Sequence, residues 1–272
     1  MPREHQDISV LIRARDLESL FPNLLQKLSA QTVQPTDVVI VDNYSSKESL
    51  ETMKNLLEEA KANIFQNLIS IELVPLADRD FSHPYSTNLG VGAAQGDLIC
   101  ILNGHSMPSS DRWIEFGVSH FSDPKVAGVA GYFTAHRNGT VWEKLFYDWW
   151  WKKRNEISNA CAKDDYFSTV NCILRKSLWD QYPFDERLPT EIPETRRFGG
   201  EDFDWAEEMQ ARGYKIVVDP RFNVSHSHGD TLAQLVPKYI AWRQIQRRIK
   251  SYSRPRQSYA RVKATRSFHY DI

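Results

Sequence analysis

The first half of the chain alternates continuous apolar runs with segments of helical periodicity, and this alternation constrains the fold more than any other feature. Ile8-Ser9-Val10-Leu11-Ile12 reads as a buried strand, followed by a helix from about Leu17 to Ala30 with Leu17, Leu20, Leu24, Leu25 and Leu28 on one face. Asp37–Asp42, Leu68–Val74 and Asp97–Leu102 read as further strands, separated by helices over about Glu48–Ala60 and Thr87–Ala94. These runs are too continuously apolar for strands with one wet face, so the sheet is covered on both sides. Strand-helix-strand repetition predicts an α/β fold with a mainly parallel central sheet flanked by helices. The second half is less regular. Arg112–Phe121, Trp142–Ile157 and Phe203–Arg212 have helical patterns, the last closed by Gly213. Val126–Phe133 and Ser168–Leu174 read as strands, and Lys215–Val218 starts another.

With 272 residues, 41% hydrophobic and 25% charged, the chain is long enough for a substantial core and too apolar for disorder throughout. Nothing approaches the roughly 18 uninterrupted apolar residues of a membrane span. Met1-Pro2-Arg3-Glu4-His5 has no apolar signal region, so export is not expected. Cys100, Cys161 and Cys172 are odd in number without CxxC spacing, which argues against a disulfide framework or a cysteine zinc site and for a reducing, cytoplasmic setting. The net charge of −1 hides an asymmetry. Lys238, Arg243, Arg247, Arg248, Lys250, Arg254, Arg256, Arg261, Lys263 and Arg266 face a single acid, Asp271, in the segment 231–272, so the remainder is acidic. Such a segment suits a helix packed back on the acidic body, or contact with a membrane surface or an acidic partner. Nucleic acid is not an expected partner, because the segment lacks a recognised module and its aromatics are sparse.

In open α/β sheets ligands bind beyond the carboxyl ends of the strands. The polar residues there are Arg13-Ala14-Arg15-Asp16, Asp42-Asn43-Tyr44-Ser45-Ser46 and Asn103-Gly104-His105-Ser106-Met107-Pro108. A strand-end Asp accepts from a nucleobase imide or a ribose hydroxyl, and Arg meets diphosphate; taken singly, each also serves as a turn or cap residue. His226 and His228 sit two apart, so on an extended segment both point to one face, a metal-like arrangement. The competing reading is a polar edge with one satisfied core histidine. Trp149-Trp150-Trp151, preceded by Tyr147 and followed by Lys152-Lys153-Arg154, reads first as a helix burying its aromatic face, with one Trp available to a sugar ring. Trp113, Phe116 and Trp179 read as packing.

Order and spacing give these residues a joint meaning. The Ile8–Asp16 and Val38–Ser46 segments, Ser86-Thr87-Asn88-Leu89-Gly90, Ala94-Gln95-Gly96-Asp97 and the strand ahead of Pro108 resemble the family 2 glycosyltransferases of the GT-A fold. Asn171–Trp179, Phe184-Asp185-Glu186, Gly200-Glu201-Asp202-Phe203-Asp204 and Ser225-His226-Ser227-His228 continue the likeness in the family's order, across about Ile8 to Ile240. Phe81-Ser82-His83 most resembles the rhamnosyltransferase-type branch. The resemblance implies a GT-A domain over 1–230, with a donor half of about 1–108 and an acceptor half of about 109–230, then a basic helical extension over 231–272. It implies Arg13, Ala14, Arg15, Asp42, Asn88 and Asn103 on the side of a UDP- or dTDP-sugar donor. Asp202 is the expected general base, with Glu201 orienting a glycan or lipid-linked acceptor, and surface polysaccharide assembly is the expected setting.

One departure stands out. Where the family has Asp-x-Asp, this chain has Asn103-Gly104-His105. Asn brings no negative charge, and His105 ligates only as neutral imidazole, which favours Mn²⁺ over Mg²⁺. The expected ligands are therefore His105, His226 and His228, and the alternative is metal-free stabilisation of the leaving group. Transfer needs one carboxylate to take the acceptor proton, and a single displacement inverts the anomeric centre. Two other readings remain open: a non-catalytic relative that only binds, and a zinc hydrolase. The second rests on His226-Ser227-His228-Gly229-Asp230, which resembles His-x-His-x-Asp-His, although Thr231 replaces the final His.

Overall fold

The structure is a computed structural model describing residues 7–16, 19–65, 68–161 and 166–252. In chain order its strands are β1 (Ile8–Ala14), β2 (Asp37–Asn43), β3 (Ser70–Leu76), β4 (Leu98–Asn103), β5 (Met107–Pro108), β6 (Val126–Thr134), β7 (Asn171–Arg175) and β8 (Lys215–Ser225). The helices are α1 (Phe21–Ser29), α2 (Lys47–Asn63), α3 (His83–Ala93), α4 (Trp113–Val118), α5 (Val141–Cys161), α6 (Lys176–Trp179), α7 (Leu188–Glu191), α8 (Thr195–Phe198), α9 (Glu201–Ala211) and α10 (Leu232–Lys250). Among the described residues the strands form one sheet in the order β3-β2-β1-β4-β7-β6-β8-β5. Val10, Leu11 and Ile12 of β1, Val38 to Val41 of β2 and Leu98 to Leu102 of β4 are buried, as expected for strands covered on both faces. Helix α3 begins earlier than its apolar pattern suggests, because Ser82 caps it and Pro84 suits its first turn.

The sheet is parallel through β3-β2-β1-β4 and again between β6 and β8. It is mixed overall, because β7 runs antiparallel to both β4 and β6, and β5 runs antiparallel to β8. An apolar run carries no direction, so this reversal is not written in the composition of β7. Its consequence is specific. Asn171 at the start of β7 pairs with Leu102 near the end of β4, so the residues just ahead of β7 arrive at the sheet edge where β1, β2 and β4 finish.

The β6–β8 ladder is irregular between Gly131 and Phe133. Asn171 repairs the break, its Nδ2 donating to Tyr132 O at 3.0 Å and Phe222 O at 2.8 Å while its Oδ1 accepts from Trp113 Nε1 at 3.1 Å. Gly131 is required there, since a Cβ would lie 1.7 Å from Phe222 O. Beyond the bulge, Thr134 pairs with Ser225, which delivers the His226 segment to the common edge.

Helix α10 is not a detached extension. Ile245 and Ile249 pack with Leu188, Ile192 and Phe203 in a small second core, and Arg248 Nη1 meets Glu194 Oε1 at 2.6 Å. Lys250 Nζ approaches Glu207 Oε1 at 3.8 Å. The helix-packed-back reading fits the described part of the basic segment. Arg254, Arg256, Arg261, Lys263 and Arg266 lie outside the described residues. Among the described residues no helix is long and apolar enough to cross a membrane. Cys100 and Cys172 are buried free thiols whose pKa is pushed up by burial, and the side chain of Cys161 lies outside the described set.

Candidate active site

Arg13 anchors the floor of the cleft. Its position near the end of β1 turns the guanidinium inward, where Nη1 donates to Thr87 Oγ1 at 3.0 Å and lies 3.5 Å from Glu201 Oε1. Nη2 donates to Asn103 Oδ1 at 3.1 Å and Thr169 Oγ1 at 3.0 Å. One side chain thus ties β1, α3, β4, the approach to β7 and the start of α9 together. Asn103, at the end of β4, presents its carboxamide oxygen to Arg13.

Glu201 and Asp202 open α9 because Gly199 and Gly200 turn the chain just before it, at φ of +72° and +133°, a region open mainly to glycine. Glu201 is buried, its Oε2 accepting from Gly200 N at 3.0 Å. Asp202 Oδ2 accepts from Thr169 N at 3.0 Å, and its Oδ1 from Phe203 N at 2.7 Å. Burial first, and the Glu201 carboxylate second, raise the Asp202 pKa from 3.8 to about 6, against the backbone donors and Arg13. A carboxylate held close to neutrality suits proton abstraction.

The three expected metal ligands come together. One ligating atom each of His105, His226 and His228 all lie within 4.8 Å of one another. His226 Nε2 is 3.0 Å from His228 Nε2, and Ser106 Oγ holds His226 Nδ1 at 3.0 Å. Burial first, then the neighbouring imidazoles, holds the His226 pKa well below its ordinary value, and His228 is lowered to about 4 by burial, His105 and Lys238. Imidazole nitrogens gathered in this way, with the His226 and His228 pKa values held down, fit a borderline divalent ion better than Mg²⁺. Buried Glu143 braces this loop, its Oε1 accepting from His228 N at 2.7 Å and Asp230 N at 3.1 Å. His136 braces the other side, with its ring nitrogens 2.9 Å from Ser225 Oγ and His105 O. Asp230 Oδ2 engages Lys238 Nζ at 2.5 Å, and the convergent group is His105, His226 and His228 without Asp230, which is not the ligand set of the hydrolase-like signature.

A cavity of about 350 Å³ opens beside these groups, lined by Arg13, Asn103, Asp202, His226 and His228. Its wall is aromatic, with Phe146, Tyr147 and Trp150 from α5 and Trp242 from α10. Trp150 and Trp151 are buried, as the core reading requires, and Trp150 also reaches the cavity. His83 lines it as well, with its pKa lowered to about 4 by burial and by Arg13. Sequence reasoning read His83 only as a branch marker and missed Thr169, Lys238 and Trp242. The spacing of Leu235, Lys238 and Trp242 on one helical face was the available signal for the last two.

The remaining expected donor residues divide. Ala14 and Asp42 meet across the β1–β2 ladder, and Asp42 accepts from Ser45 N at 3.2 Å and from the Ser45 hydroxyl. Burial raises the Asp42 pKa, and the Ser45 bonds partly offset it. Arg15 lies over the Tyr44 ring at 4.2 Å, and its guanidinium donates to Tyr44 Oη at 3.1 Å. Asn88 directs its carboxamide to protein partners. Its Nδ2 donates to Phe184 O at 2.9 Å and Glu186 Oε1 at 2.8 Å, while Oδ1 accepts from Trp179 Nε1 and Phe184 N, both at 3.0 Å. With its hydrogen-bonding capacity spent on the Trp179–Glu186 turn, Asn88 is a staple between α3 and that turn.

Among curated proteins, the O-antigen chain rhamnosyltransferase RfbN of Salmonella typhimurium is 24% identical over 244 residues, 86% of this chain and 70% of RfbN. The O-antigen chain rhamnosyltransferase WbaN of Salmonella anatum is also 24% identical, over 77% of this chain and 62% of its own length. Among solved structures, the mannosyltransferase PcManGT from Pyrobaculum calidifontis, in complex with GDP-Man and Mn²⁺, superposes with a TM-score of 0.65 at 15% identity, covering 93% of this chain and 67% of that one. Glucosyl-3-phosphoglycerate synthase from Mycobacterium tuberculosis gives 0.60 at 10% identity, over 92% and 82% of the two chains. These likenesses identify the fold as GT-A. Residues 9–182 match the family model described as Glycosyl transferase family 2. With that match over more than half its length, the chain is a member of glycosyltransferase family 2.

Proposed function

We propose that the protein transfers a deoxyhexose of the rhamnose type, with inversion, from a UDP- or dTDP-activated donor to a hydroxyl of a glycan or lipid-linked acceptor in surface polysaccharide assembly. The observation that carries this reading is Asp202, a carboxylate with a pKa of about 6 on the wall of the cavity that His226 and His228 also line. The rhamnosyltransferase relatives support the sugar class.

Asp202 takes the acceptor proton as the acceptor oxygen bonds to the anomeric carbon and the carbon–oxygen bond to the diphosphate breaks. The nucleoside diphosphate leaves with the electron pair, and this single displacement inverts the centre. Thr169 N and Phe203 N fix the carboxylate through separate oxygens, so it reaches the acceptor without reorienting. Arg13 holds Glu201 beside it, and the aromatic wall excludes water and stacks on the acceptor ring. Asp42 and Arg15 at the ends of β1 and β2 take the nucleoside. His105, His226 and His228 would hold a divalent cation, Mn²⁺ in preference to Mg²⁺, which would supply positive charge to the leaving diphosphate.

The test is release of nucleoside diphosphate from a panel of UDP- and dTDP-sugars, with Mn²⁺, with Mg²⁺ and with EDTA. Turnover of a deoxyhexose donor by the full chain, lost in Asp202→Asn with donor binding retained, is the expected result. Donor binding without turnover by the unmodified protein under every condition refutes it in favour of a binding-only relative.

A further inference from the structure

Helices α5 and α10 share an exposed face outside the cavity. On α5, Val141, Trp142, Leu145 and Trp149 follow helical spacing and are exposed, Leu145 at 59% and Trp149 at 47%. On α10, Leu232, Val236 and Ile240 repeat every fourth residue and are each about half exposed, at 47%, 48% and 49%. Tyr239 of α10 packs against Phe146, Trp149 and Trp150 at ring distances of 6.0, 5.6 and 5.6 Å, so the two stripes lie side by side. The same contacts tie the face to the cavity, since Phe146 and Trp150 also line it. Large adjoining apolar side chains on a surface mark an interaction site.

The charges say what kind. Continuing the α10 stripe by seven residues from Val236 and Ile240 reaches Arg243 and Arg247, both exposed. On α5, Lys152 lies seven residues after Leu145, and Lys153 follows it. α10 contains no Asp or Glu, and among the described side chains of α5 only Asp148 offers an exposed carboxylate. Apolar and tryptophan side chains beside a cluster of Lys and Arg match the boundary between acyl chains and anionic headgroups. Two copies meeting through this face would set these like charges against each other.

We propose that the α5–α10 face docks on an anionic lipid bilayer, with Trp142, Leu145, Trp149, Val236 and Ile240 entering the interface and Arg243 and Arg247 meeting phosphate headgroups. Docking brings the aromatic mouth of the cavity to headgroup level, where a lipid-linked acceptor presents its sugar. This concerns a surface outside the cavity and stands or falls independently of Asp202.

The test is co-sedimentation of the full chain with vesicles of phosphatidylcholine alone or mixed with phosphatidylglycerol. The unmodified protein is expected on the anionic vesicles. Each basic group near such a surface contributes about fivefold, so Arg243→Ala with Arg247→Ala weakens binding roughly 25-fold. Trp142→Ser, Leu145→Ser and Val236→Ser together weaken it at least ~tenfold by removing buried CH₂ and ring area. These side chains are exposed, so melting temperatures stay near that of the unmodified protein. Absence of vesicle binding overturns the proposal, as does binding unchanged in both variants. So does loss of binding only when Arg254, Arg256, Arg261, Lys263 and Arg266 are changed to Ala. Self-association abolished by the apolar variant, without vesicle binding, assigns the face to a second copy and likewise overturns it.

Discussion

Replacing Asp202 with Asn separates catalysis from stability in a way that depends on pH. The carboxyl pKa rises from 3.8 to about 6 in the folded protein, mainly because burial penalises the charge. The neutral form is thus favoured by folding. Its stabilising contribution is complete below about 3.8 and is lost as the pH rises through about 6. That interval corresponds to about 3 kcal/mol between the two limits. The carboxamide introduced by Asp202→Asn is neutral throughout and does not bear this loss. It does set an amide NH₂ against one of two backbone donors, Thr169 N or Phe203 N, a cost of about 1–3 kcal/mol that does not vary with pH. The stability of Asp202→Asn relative to the unmodified protein should therefore increase by about 2–3 kcal/mol between pH 4 and pH 8, whatever its value at either end. Urea denaturation followed by tryptophan fluorescence across that range measures it. Turnover should fall by a factor of about 10² to 10⁴, and in the unmodified enzyme it should climb as the pH passes about 6. A stability difference that is flat with pH would refute the buried-charge argument. Turnover within a few-fold of the unmodified enzyme would refute the assignment of the base.

Asn88→Ala should lower stability by about 2–4 kcal/mol, since its bonds to the Trp179–Glu186 turn are lost; urea denaturation gives the loss, and a tenfold rise in donor KM at unchanged stability would instead make Asn88 a donor contact. His228→Ala should weaken Mn²⁺ binding at least ~tenfold by electron paramagnetic resonance titration, and unaltered affinity would remove it from the ligand set. Trp242→Ala should raise the acceptor KM roughly three- to tenfold through loss of ring stacking, with donor KM steady. A matched rise in both would make Trp242 a general support.

The strand ends were readable in the sequence because β1, β2 and β4 are continuous apolar runs, so Arg13, Asp42 and Asn103 had to emerge at one edge. His226 and His228 were readable from their spacing, and their meeting with His105 follows from β5, just after the loop that leaves β4, pairing with the end of β8. The bonds of Asn88 to the Trp179–Glu186 turn were not legible, because a motif position states a residue type without stating which way it bonds. The direction of β7, and with it the supply of Thr169 to Asp202, rests on pairing between distant strands that no local pattern encodes. Helix α10 was foreseen, but its place on the cavity depends on long-range packing of Ile245 and Ile249.

The order of assembly during translation follows from that last placement. A ribosome releases the β1–β4 half and its helices first, so the side proposed for the nucleotide is complete early. The wall bearing Lys238 and Trp242 reaches the cavity only after α10 has left the exit tunnel and settled on Leu188, Ile192 and Phe203. A nascent or prematurely terminated polypeptide therefore lacks one wall of the cavity, leaving whatever it holds open to water.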